Sequence, residues 1–430
     1  MVSPVASTDP APAGDRPHVV VVGGGFAGLA VARGLAKGPV LVTIIDAHNF
    51  HTFSPLLYQV ATAGLEPADV AYPIRTVFGH SPNVRFRHAR VASVDTRERE
   101  VELDDGAGVS YDHLVVATGA TAAFFSVPGA HHHALPLYTL GDARRLRNRL
   151  LLSLEAADVA AQGRPLDLTY VVVGGGPTGV ETAGALSELI SIAVRRDGLR
   201  LERSQVRVVV VDLADRLLTS FSASASRYAA RELARLGVEV QLGRSVVEVE
   251  EHALVFADGE RLATTAVVWA AGVTVAGTLA SDVGRAGPGA RVVVGPDLRV
   301  PGGQREWVVG DAAAVLSEGE VCPQLAPVAI QSGQHCARQI LRAIEGESTE
   351  SFHYRDKGVM ATIGRRAAVA QLPRAGVVKG TLGWLAWLGL HLFYLVGFRN
   401  RLRVLINWTW RYFDWPSGPR LIVADAETVD

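Results

Sequence analysis

Two short segments of the sequence repeat one glycine spacing, Gly-x-Gly-x-x-Gly, directly after an apolar run. The first follows residues 19–22 and contains Gly23, Gly25 and Gly28, and a helical pattern continues from it. In such a turn the glycines permit a tight bend, close approach of backbone N–H groups to a pyrophosphate, and close packing of the helix on the strand. Asp46 ends the next apolar run, 23 residues after Gly23, at about the spacing where a carboxylate binds a ribose hydroxyl. The residues predicted to bind this first nucleotide are Gly23, Gly25, Phe26, Ala27, Gly28 and Asp46.

The second segment repeats the arrangement with Gly174, Gly176 and Gly179. Its acid, Asp212, follows Gly174 by 38 residues, and we attribute the longer gap to an extended helix and loop over residues 190–205. A glycine-rich turn without a ligand is the alternative for either segment, but the flanking strand, helix and acid favour nucleotide binding. The residues predicted to bind the second nucleotide are Gly174, Gly176, Pro177, Thr178, Gly179 and Asp212.

Two dinucleotide sites in one chain predict hydride transfer from a nicotinamide nucleotide to a tightly held flavin. Gly310 and Asp311 end a late strand, where an aspartate either reaches the ribityl chain of a flavin or N-caps the next helix. Two other strands end in turns of small residues and glycine, which we interpret as crossing points between two nucleotide domains. These features add Gly310, Asp311, Ala117, Thr118, Gly119, Ala271 and Gly272 to the predicted cofactor-binding residues, which also include Ala326 in the helix that follows.

Length and composition limit the class of protein. The chain has 430 residues, 48% of them hydrophobic, and a formal net charge of −1, so it is too long for one core and lacks the basic field of a nucleic-acid-binding protein. Its two cysteines, Cys322 and Cys336, are too few for a disulfide framework, which indicates a reducing compartment. Both are interpreted as small core residues. No metal site is predicted, and the histidines of residues 130–134 are interpreted as a solvated loop. The predicted organisation is a disordered tail (1–16), a flavin-binding domain (17–140), a nicotinamide-nucleotide-binding domain (141–271), the rest of the flavin-binding domain (272–350) and a C-terminal module (351–430).

The C-terminal segment has the composition of a membrane interface. Residues 380–398 contain His391 as their only side chain that ionises near neutral pH, and the arginine-rich residues 399–413 follow. From Arg355 onward, eleven Lys and Arg outnumber five Asp and Glu, and five of the seven tryptophans lie in this part of the chain. Peripheral docking on a membrane, packing in a dimer interface or core, and a true membrane span of about 18 residues are the three alternatives. Docking predicts a lipid-soluble quinone as the electron acceptor.

Long stretches of this sequence resemble the type II NADH:quinone oxidoreductases, which are single-subunit respiratory dehydrogenases that do not pump protons. The stretches that carry the resemblance are residues 50–67, 174–184, 267–273, 354–370 and 397–408. The resemblance implies an α/β fold with two Rossmann-like domains, as in glutathione-reductase-like flavoproteins, and a C-terminal membrane-anchoring module. It also implies FAD in the first site, NADH in the second, a homodimer, and peripheral attachment to the cytoplasmic face of the cell membrane. Hydride would pass from NADH to flavin N5, and a membrane quinone, menaquinone or ubiquinone, would then be reduced by two electrons.

The resemblance also suggests two catalytic residues. Glu181 matches a family glutamate near the nicotinamide and flavin, although an acid early in a helix also stabilises the helix dipole. Gln331 matches the second glutamine of a family motif near the quinone pocket, although it could instead be a surface glutamine bonded to backbone. The first glutamine of that motif is replaced by Pro327, which the first turn of a helix tolerates but which cannot bind a quinone carbonyl. Residues 54–61 resemble a loop lining the flavin.

Two other functions remain open at the level of sequence. One is a flavoprotein with another donor or acceptor, such as a sulfide:quinone reductase, although such an enzyme needs cysteines beside the flavin. The other is a redox-sensing flavoprotein that binds NADH and turns over slowly.

Overall fold

A computed structural model describes residues 16–160, 168–196, 199–275, 277, 279–303, 305–373, 376–413 and 420–423. The predicted disordered tail, except Arg16, lies outside the described residues. The chain forms two compact units: unit 1 contains Met1–His51, Tyr72–Thr121 and Val273–Asp356, and unit 2 contains Thr52–Ala71, Ala122–Gly272 and Lys357–Asp430. The C-terminal segment therefore belongs to the same unit as the second glycine turn, and the first crossing lies before residue 122 and not at residue 140.

One helix follows each of the two glycine turns, and two others lie in the C-terminal segment. The α-helices of the described residues are α1 (Phe26–Leu35), α2 (Leu57–Ala61), α3 (Pro67–Val70), α4 (Ile74–Val77), α5 (Ala130–His133), α6 (Leu140–Ala160), α7 (Pro177–Arg196), α8 (Ala223–Arg235), α9 (Leu279–Val283), α10 (Ala326–Ile344), α11 (Gly380–Tyr394) and α12 (Phe398–Phe413). Short 3-10 turns occur at Ser54–Leu56, Arg203–Gln205, Pro288–Ala290 and Gly310–Ala312.

Two segments expected to be loops are helical. Residues 54–61 form a 3-10 turn followed by α2, because Pro55 begins the turn and the apolar side chains of α2 are buried. The histidines of residues 131–133 lie in the single turn α5, where the N–H groups of His132 and His133 donate to the carbonyl oxygen of Gly129.

The strands of the described residues form two five-stranded parallel sheets and several smaller sheets of two or three strands. They are β1 (His18–Val22), β2 (Leu41–Asp46), β3 (Phe50–Thr52), β4 (Ala71–Pro73), β5 (Val84–His88), β6 (Val91–Asp95), β7 (Glu100–Leu103), β8 (Gly108–Ser110), β9 (His113–Val116), β10 (Ala120–Ala122), β11 (Ala134–Pro136), β12 (Leu168–Val173), β13 (Val206–Asp212), β14 (Val238–Leu242), β15 (Val246–Val249), β16 (Ala253–Phe256), β17 (Arg261–Ala263), β18 (Ala266–Trp269), β19 (Val273–Val275), β20 (Val292–Val293), β21 (Glu306–Val308), β22 (Ala313–Ala314), β23 (Leu316–Ser317), β24 (Glu320–Val321), β25 (Val359–Gly364), β26 (Ala367–Leu372) and β27 (Gly376–Lys379).

The parallel sheet of unit 1 has the strand order β21-β9-β1-β2-β5. Its central strand β1 is almost wholly apolar and buried, as expected for a strand covered on both faces. In register, Val20 lies opposite Leu114 of β9 and Thr43 of β2. The carboxyl ends of β1, β2 and β9 therefore meet at one edge, where the first glycine turn and Asp46 are located.

The parallel sheet of unit 2 repeats this order as β11-β18-β12-β13-β14. Strand β12 is buried along its whole length, and Val172 lies opposite Val210 of β13 and Val268 of β18. Strand β11 precedes residue 140, so this sheet begins earlier in the chain than the predicted domain boundary. The second glycine turn and Asp212 lie at the carboxyl edge of this sheet.

An antiparallel sheet of unit 2, β25-β26-β27, packs against α7 and α11. Gly184 lets α7 approach β25, because a Cβ at this position would lie 1.7 Å from the carbonyl oxygen of Ile363. This close packing places the side chains of α7 beside β25, which matters for Glu181.

Candidate functional site

The first glycine turn leaves open space above the N-terminus of α1. Gly23 has a φ angle of +107°, and a Cβ there would lie 2.3 Å from the carbonyl oxygen of Ala117. A Cβ at Gly28 would lie 1.9 Å from the Gly23 oxygen, so α1 packs directly on the turn. At Gly25, which has no side-chain cap, a Cβ would meet nothing within 4 Å. The helix N-terminus is thus accessible to the phosphates of a dinucleotide.

Polar groups surround this open turn. The Asp46 carboxylate accepts hydrogen bonds from the N–H of Gly24, at 2.5 Å, and from the N–H of His48, at 2.7 Å. The hydroxyl of Thr118, which lies between Ala117 and Gly119 just after β9, is buried without a hydrogen bond to any described residue. An unpaired buried hydroxyl costs about 1–3 kcal/mol, so a ligand that supplies a partner is favoured here. These residues fit a dinucleotide such as FAD.

The late segment of unit 1 packs on the same helix. A Cβ at Gly310 would lie 2.9 Å from the Cβ of Ala27, the neighbour of Phe26 in α1. Asp311 lies inside the 3-10 turn Gly310–Ala312, and the N-cap of α10 is Leu325, so Asp311 does not cap that helix. Ala326 is the first residue of α10. Unit 1 therefore contains all the predicted residues of the first site.

The second glycine turn repeats the geometry of the first. Gly174 has a φ angle of +113°, and a Cβ there would lie 2.6 Å from the carbonyl oxygen of Ala270. A Cβ at Gly179 would lie 1.8 Å from the Gly174 oxygen, whereas a Cβ at Gly176 would meet nothing within 4 Å. Pro177 and Thr178 begin α7, and Ala271 and Gly272 follow β18. A second dinucleotide such as NADH fits this turn.

The charges beside this second turn favour a nucleotide without a ribose phosphate. Asp212 accepts a hydrogen bond from the N–H of Gly175, as Asp46 does from Gly24. Arg216, which could have neutralised a phosphate, donates to the carbonyl oxygens of Phe221 at 2.8 Å and Thr219 at 2.7 Å. The carboxylate therefore remains the dominant charge where the ribose of the second nucleotide is expected.

A cavity of about 110 Å³ lies within unit 2 and is lined by α2, α7, β25, α11 and α12. Its walls combine flat aromatic side chains with a few polar groups. The lining residues that matter for the chemistry are Tyr58, Gln59, Glu181, Glu188, Trp387 and Trp408. The indole N–H of Trp408 donates to Gln59 Oε1 at 3.0 Å, and Gln59 Nε2 donates to the Tyr58 hydroxyl at 2.8 Å, which ties α12 to α2.

Glu181 is the buried acid of this cavity. Its Oε1 accepts a hydrogen bond from the N–H of Thr362 at 3.1 Å. Burial raises the pKa of the carboxyl to about 8. The N–H of Thr362 favours the charged form and limits this rise in pKa. The indole N–H of Trp387 acts in the same direction but more weakly, and it makes no hydrogen bond of standard geometry to a described residue. Glu181 therefore carries a proton at pH 7.

His391 packs against Trp387 and stays neutral. The two rings stack with centroids 4.0 Å apart, and Nδ1 of His391 donates to the carbonyl oxygen of Trp387 at 2.7 Å. Burial lowers the pKa of His391 to about 4. The only histidine in the apolar run of residues 380–398, which contains no Asp, Glu, Lys or Arg, is thus uncharged at neutral pH.

Gln331 bonds to backbone within unit 1. Its Nε2 donates to the carbonyl oxygen of Arg355, and its Oε1 accepts from the N–H of Arg355, both at 3.0 Å. This is the arrangement that the surface-glutamine alternative describes, and contact between Gln331 and a quinone stays a prediction. Pro327 occupies the first turn of α10, as predicted.

The two cysteines are core residues. Cys322 and Cys336 are both buried, and burial raises the pKa of both thiols. Neither thiol is activated as a thiolate, which a sulfur-transferring flavoprotein requires.

The C-terminal helices expose a dense set of apolar side chains. Those of α11 are Leu382, Leu385, Leu390 and Phe393, and those of α12 are Phe398, Leu402, Leu405 and Ile406. Within the described ranges of the chain, no helix is both long enough and apolar enough to cross a membrane. A true span over residues 380–398 is also interrupted, because α11 ends at Tyr394 and α12 begins at Phe398.

Sequence reasoning missed Glu188 and Gln59. Glu188 follows Glu181 by seven residues in α7, a spacing that places both side chains on one helical face and was readable from the sequence. Gln59 gave no such signal, because its partner Trp408 lies 349 residues away in the chain.

Comparison with known proteins agrees with this architecture. Residues 17–333 match the family model of the pyridine nucleotide-disulphide oxidoreductases, and residues 357–414 match the NDH2 C-terminal domain. The fold is similar to that of NDH2 from Plasmodium falciparum, solved in complex with NADH, with a TM-score of 0.83 at 18% identity over 94% of this chain and 100% of that one. It is also similar to the sulfide:quinone oxidoreductase from Aquifex aeolicus, with a TM-score of 0.72 at 17% identity over 92% and 95% of the two chains.

Sequence relatives are similar over almost the whole chain. The type II NADH:quinone oxidoreductase NdhA of Mycobacterium tuberculosis is 37% identical over 94% of this chain and 89% of its own length. The type II NADH:quinone oxidoreductase of Staphylococcus aureus is 30% identical over 83% of this chain and 90% of its own. With two glycine turns of matching geometry and an NDH2 C-terminal domain, the chain belongs to the type II NADH:quinone oxidoreductase family.

Proposed function

We propose that the protein is an FAD-dependent NADH:quinone oxidoreductase that reduces a membrane quinone by two electrons and does not pump protons. The observation that carries the proposal is the repeated nucleotide turn. In each unit the first glycine of the turn has a positive φ angle and the helix N-terminus is open. An aspartate accepts a hydrogen bond from the N–H of the next glycine, which is Gly24 in one unit and Gly175 in the other. Two such turns in one chain match a donor nucleotide and a flavin, and family membership assigns the quinone as acceptor.

The chain's own residues bind and orient the two nucleotides and manage a proton. Asp46 and Asp212 bind ribose hydroxyls, and the N-termini of α1 and α7 bind the pyrophosphates. When bound, FAD supplies the redox chemistry by taking two electrons from NADH and giving two electrons to the quinone. Glu181 keeps its proton on Oε2, because Oε1 accepts the N–H of Thr362, and this proton is available for quinone reduction.

The same proposal includes peripheral attachment to a lipid bilayer through α11 and α12. Their exposed leucine, isoleucine and phenylalanine side chains provide apolar contact, and interspersed arginines such as Arg399 and Arg401 suit anionic headgroups. Attachment on the cytoplasmic face and a homodimeric state, as the family resemblance implies, complete the proposal. Light scattering of the purified protein tests the dimer.

Steady-state kinetics test the reaction. We expect purified protein to carry FAD and to oxidise NADH rapidly only when a menaquinone or ubiquinone analogue is present, with NADPH a poor donor. Comparing the two quinone classes with and without lipid vesicles identifies the acceptor. Stable reduced flavin with slow quinone-dependent turnover would instead identify a redox sensor. Sulfide-dependent quinone reduction would contradict the proposal, and the buried, neutral cysteines argue against it.

A further inference from the structure

Quinone reduction by NADH takes up one proton from water in each turnover. NADH supplies two electrons and one proton, whereas a quinol contains two electrons and two protons more than the quinone. The second proton must reach a site that excludes bulk water. This inference rests on the proposed function and concerns the route of that proton.

Two carboxyl groups line the cavity of unit 2 at regular spacing. Glu181 and Glu188 lie seven residues apart in α7, so they share one helical face and are separated by about 10 Å along the helix axis. Each accepts a backbone hydrogen bond from the β25 segment: Glu181 from Thr362 at 3.1 Å, and Glu188 from Arg365 at 2.7 Å. The N–H of Arg365 and that of Thr362 therefore fix both carboxyls toward one space.

The exposure of the residues that line this space decreases from solvent to the interior. Arg365 is exposed, Glu188 is partly exposed, and Glu181 is buried, and all three line the cavity. Small side chains, Thr62 and Ala185, line it as well and leave its volume open. A volume of about 110 Å³ holds about three water molecules, enough to bridge the two carboxyls.

The charges around the cavity suit stepwise transfer. Burial raises the pKa of both glutamates, and Arg365 limits the rise at Glu188. The other titratable groups that line the cavity are Tyr58 of α2 and Arg420. Protons thus enter at Glu188, where Arg365 partly offsets the burial, and move toward Glu181, where no such offset from Arg365 acts on the carboxyl.

We propose that this cavity is the proton inlet of the enzyme and that Glu188 passes protons from solvent to Glu181 through water. In each turnover the Glu188 carboxylic acid loses its proton to the water chain. The chain delivers a proton to Oε2 of Glu181 after that oxygen has given its own proton to the reduced quinone, and solvent then reprotonates Glu188. Glu188 acts through Glu181 and is a positioning residue of the proton path.

Replacing Glu188 with glutamine tests the proposal. An amide oxygen still accepts the N–H of Arg365, but the side chain cannot pass a proton. We expect quinone-dependent turnover to fall about tenfold or more at saturating quinone, with an increased solvent isotope effect in D₂O. The KM for quinone and the rate of flavin reduction by NADH without quinone should stay unchanged.

Formate, a small acid that fits the cavity, should restore turnover of Glu188→Gln at about pH 6 and leave the unmodified enzyme unaffected.

Two further variants make the test decisive. Glu155→Gln changes an exposed glutamate of α6 outside the cavity and should behave like the unmodified enzyme. Ala185→Leu fills the cavity without removing either carboxyl, so it should slow turnover beyond rescue by formate, and it provides the readout if Glu188→Gln does not fold. Unchanged turnover and isotope effect in both cavity variants would overturn the inlet. A raised quinone KM without formate rescue would overturn it too, and would assign the cavity to the quinone. An unmodified enzyme without quinone-dependent activity would instead contradict the proposed function itself.

Discussion

At the scale of single residues, Glu181 combines burial with a position beside aromatic rings. Among the residues that the structure describes, no cation offsets its desolvation, since Thr362 N–H and Trp387 are the groups that stabilise its charge. A carboxyl in this setting stays protonated through neutral pH and can donate. His391, which stacks on Trp387, is kept neutral by burial, so it adds no positive charge behind that ring.

Glu181→Gln should separate the two half-reactions. Because the pKa of Glu181 is about 8, the acid form is complete below that pH and is lost as pH rises through it. We expect the turnover of the unmodified enzyme with quinone to decline above about pH 8, and the variant to have at least tenfold lower turnover without this titration. Stopped-flow absorbance should find flavin reduction by NADH unchanged. Equal rates in both half-reactions for variant and parent would rule out a role for Glu181 as a proton donor.

Asp212→Asn should weaken the preference for NADH over NADPH. The carboxylate is the main charge beside the second turn, because Arg216 is held by the carbonyl oxygens of Thr219 and Phe221. We expect the KM for NADH to rise about tenfold, corresponding to about 1.4 kcal/mol, and the KM for NADPH to fall. Asp46→Asn is the matched control, because Asp46 makes the same backbone contact in the first turn. This variant should retain less FAD and leave the choice between NADH and NADPH unchanged. An unchanged NADH:NADPH ratio would place the ribose elsewhere.

At the scale of elements, the sequence predicts most of what is regular. Apolar runs and glycine turns correctly predicted the strands ending at Asp46 and Asp212, and the proline-started helix α10. The short helix α2 was missed because one turn carries too little periodicity, and burial of its apolar side chains decides its conformation. The cavity could not be predicted, because its walls come from five elements spread between residues 58 and 420.

Helix α10 provides a test of the missing family glutamine. Pro327 lies in the first turn, where no intrahelical N–H donor is lost, so glutamine at this position should leave the helix intact. We expect Pro327→Gln to lower the KM for a short-chain quinone by about two- to tenfold, the effect of one hydrogen bond of about 0.5–1.5 kcal/mol. Pro327→Ala, which removes the ring without adding an amide, is the control. The same KM in all three proteins would mean that position 327 does not contact the quinone.

At the scale of the whole molecule, charge and apolar surface are concentrated in the same C-terminal segment. The chain from Arg355 onward carries a formal +6, whereas the whole chain is −1, so the remainder carries −7. Helices α11 and α12 lie in this segment and expose their leucine, isoleucine and phenylalanine side chains. Two separable forces therefore favour contact with a bilayer: apolar burial and attraction to anionic headgroups.

Vesicle sedimentation should separate these two forces. Replacing Leu402, Leu405 and Ile406 of α12 with serine removes three half-exposed apolar side chains, each contributing about 1 kcal/mol of burial, so we expect binding to fall about 100-fold on neutral and anionic vesicles alike. Val159→Ser combined with Val247→Ser, which changes exposed apolar residues outside α11 and α12, is the control.

Salt acts only on the electrostatic force, because the screening length shrinks from about 10 Å at 0.1 M to about 3 Å at 1 M. Raising salt should therefore weaken binding of the unmodified protein to anionic vesicles and leave its binding to neutral vesicles intact. If the triple variant binds as tightly as its parent, α12 is not the membrane-contacting surface, and its apolar face is better explained by contact with a second copy of the chain.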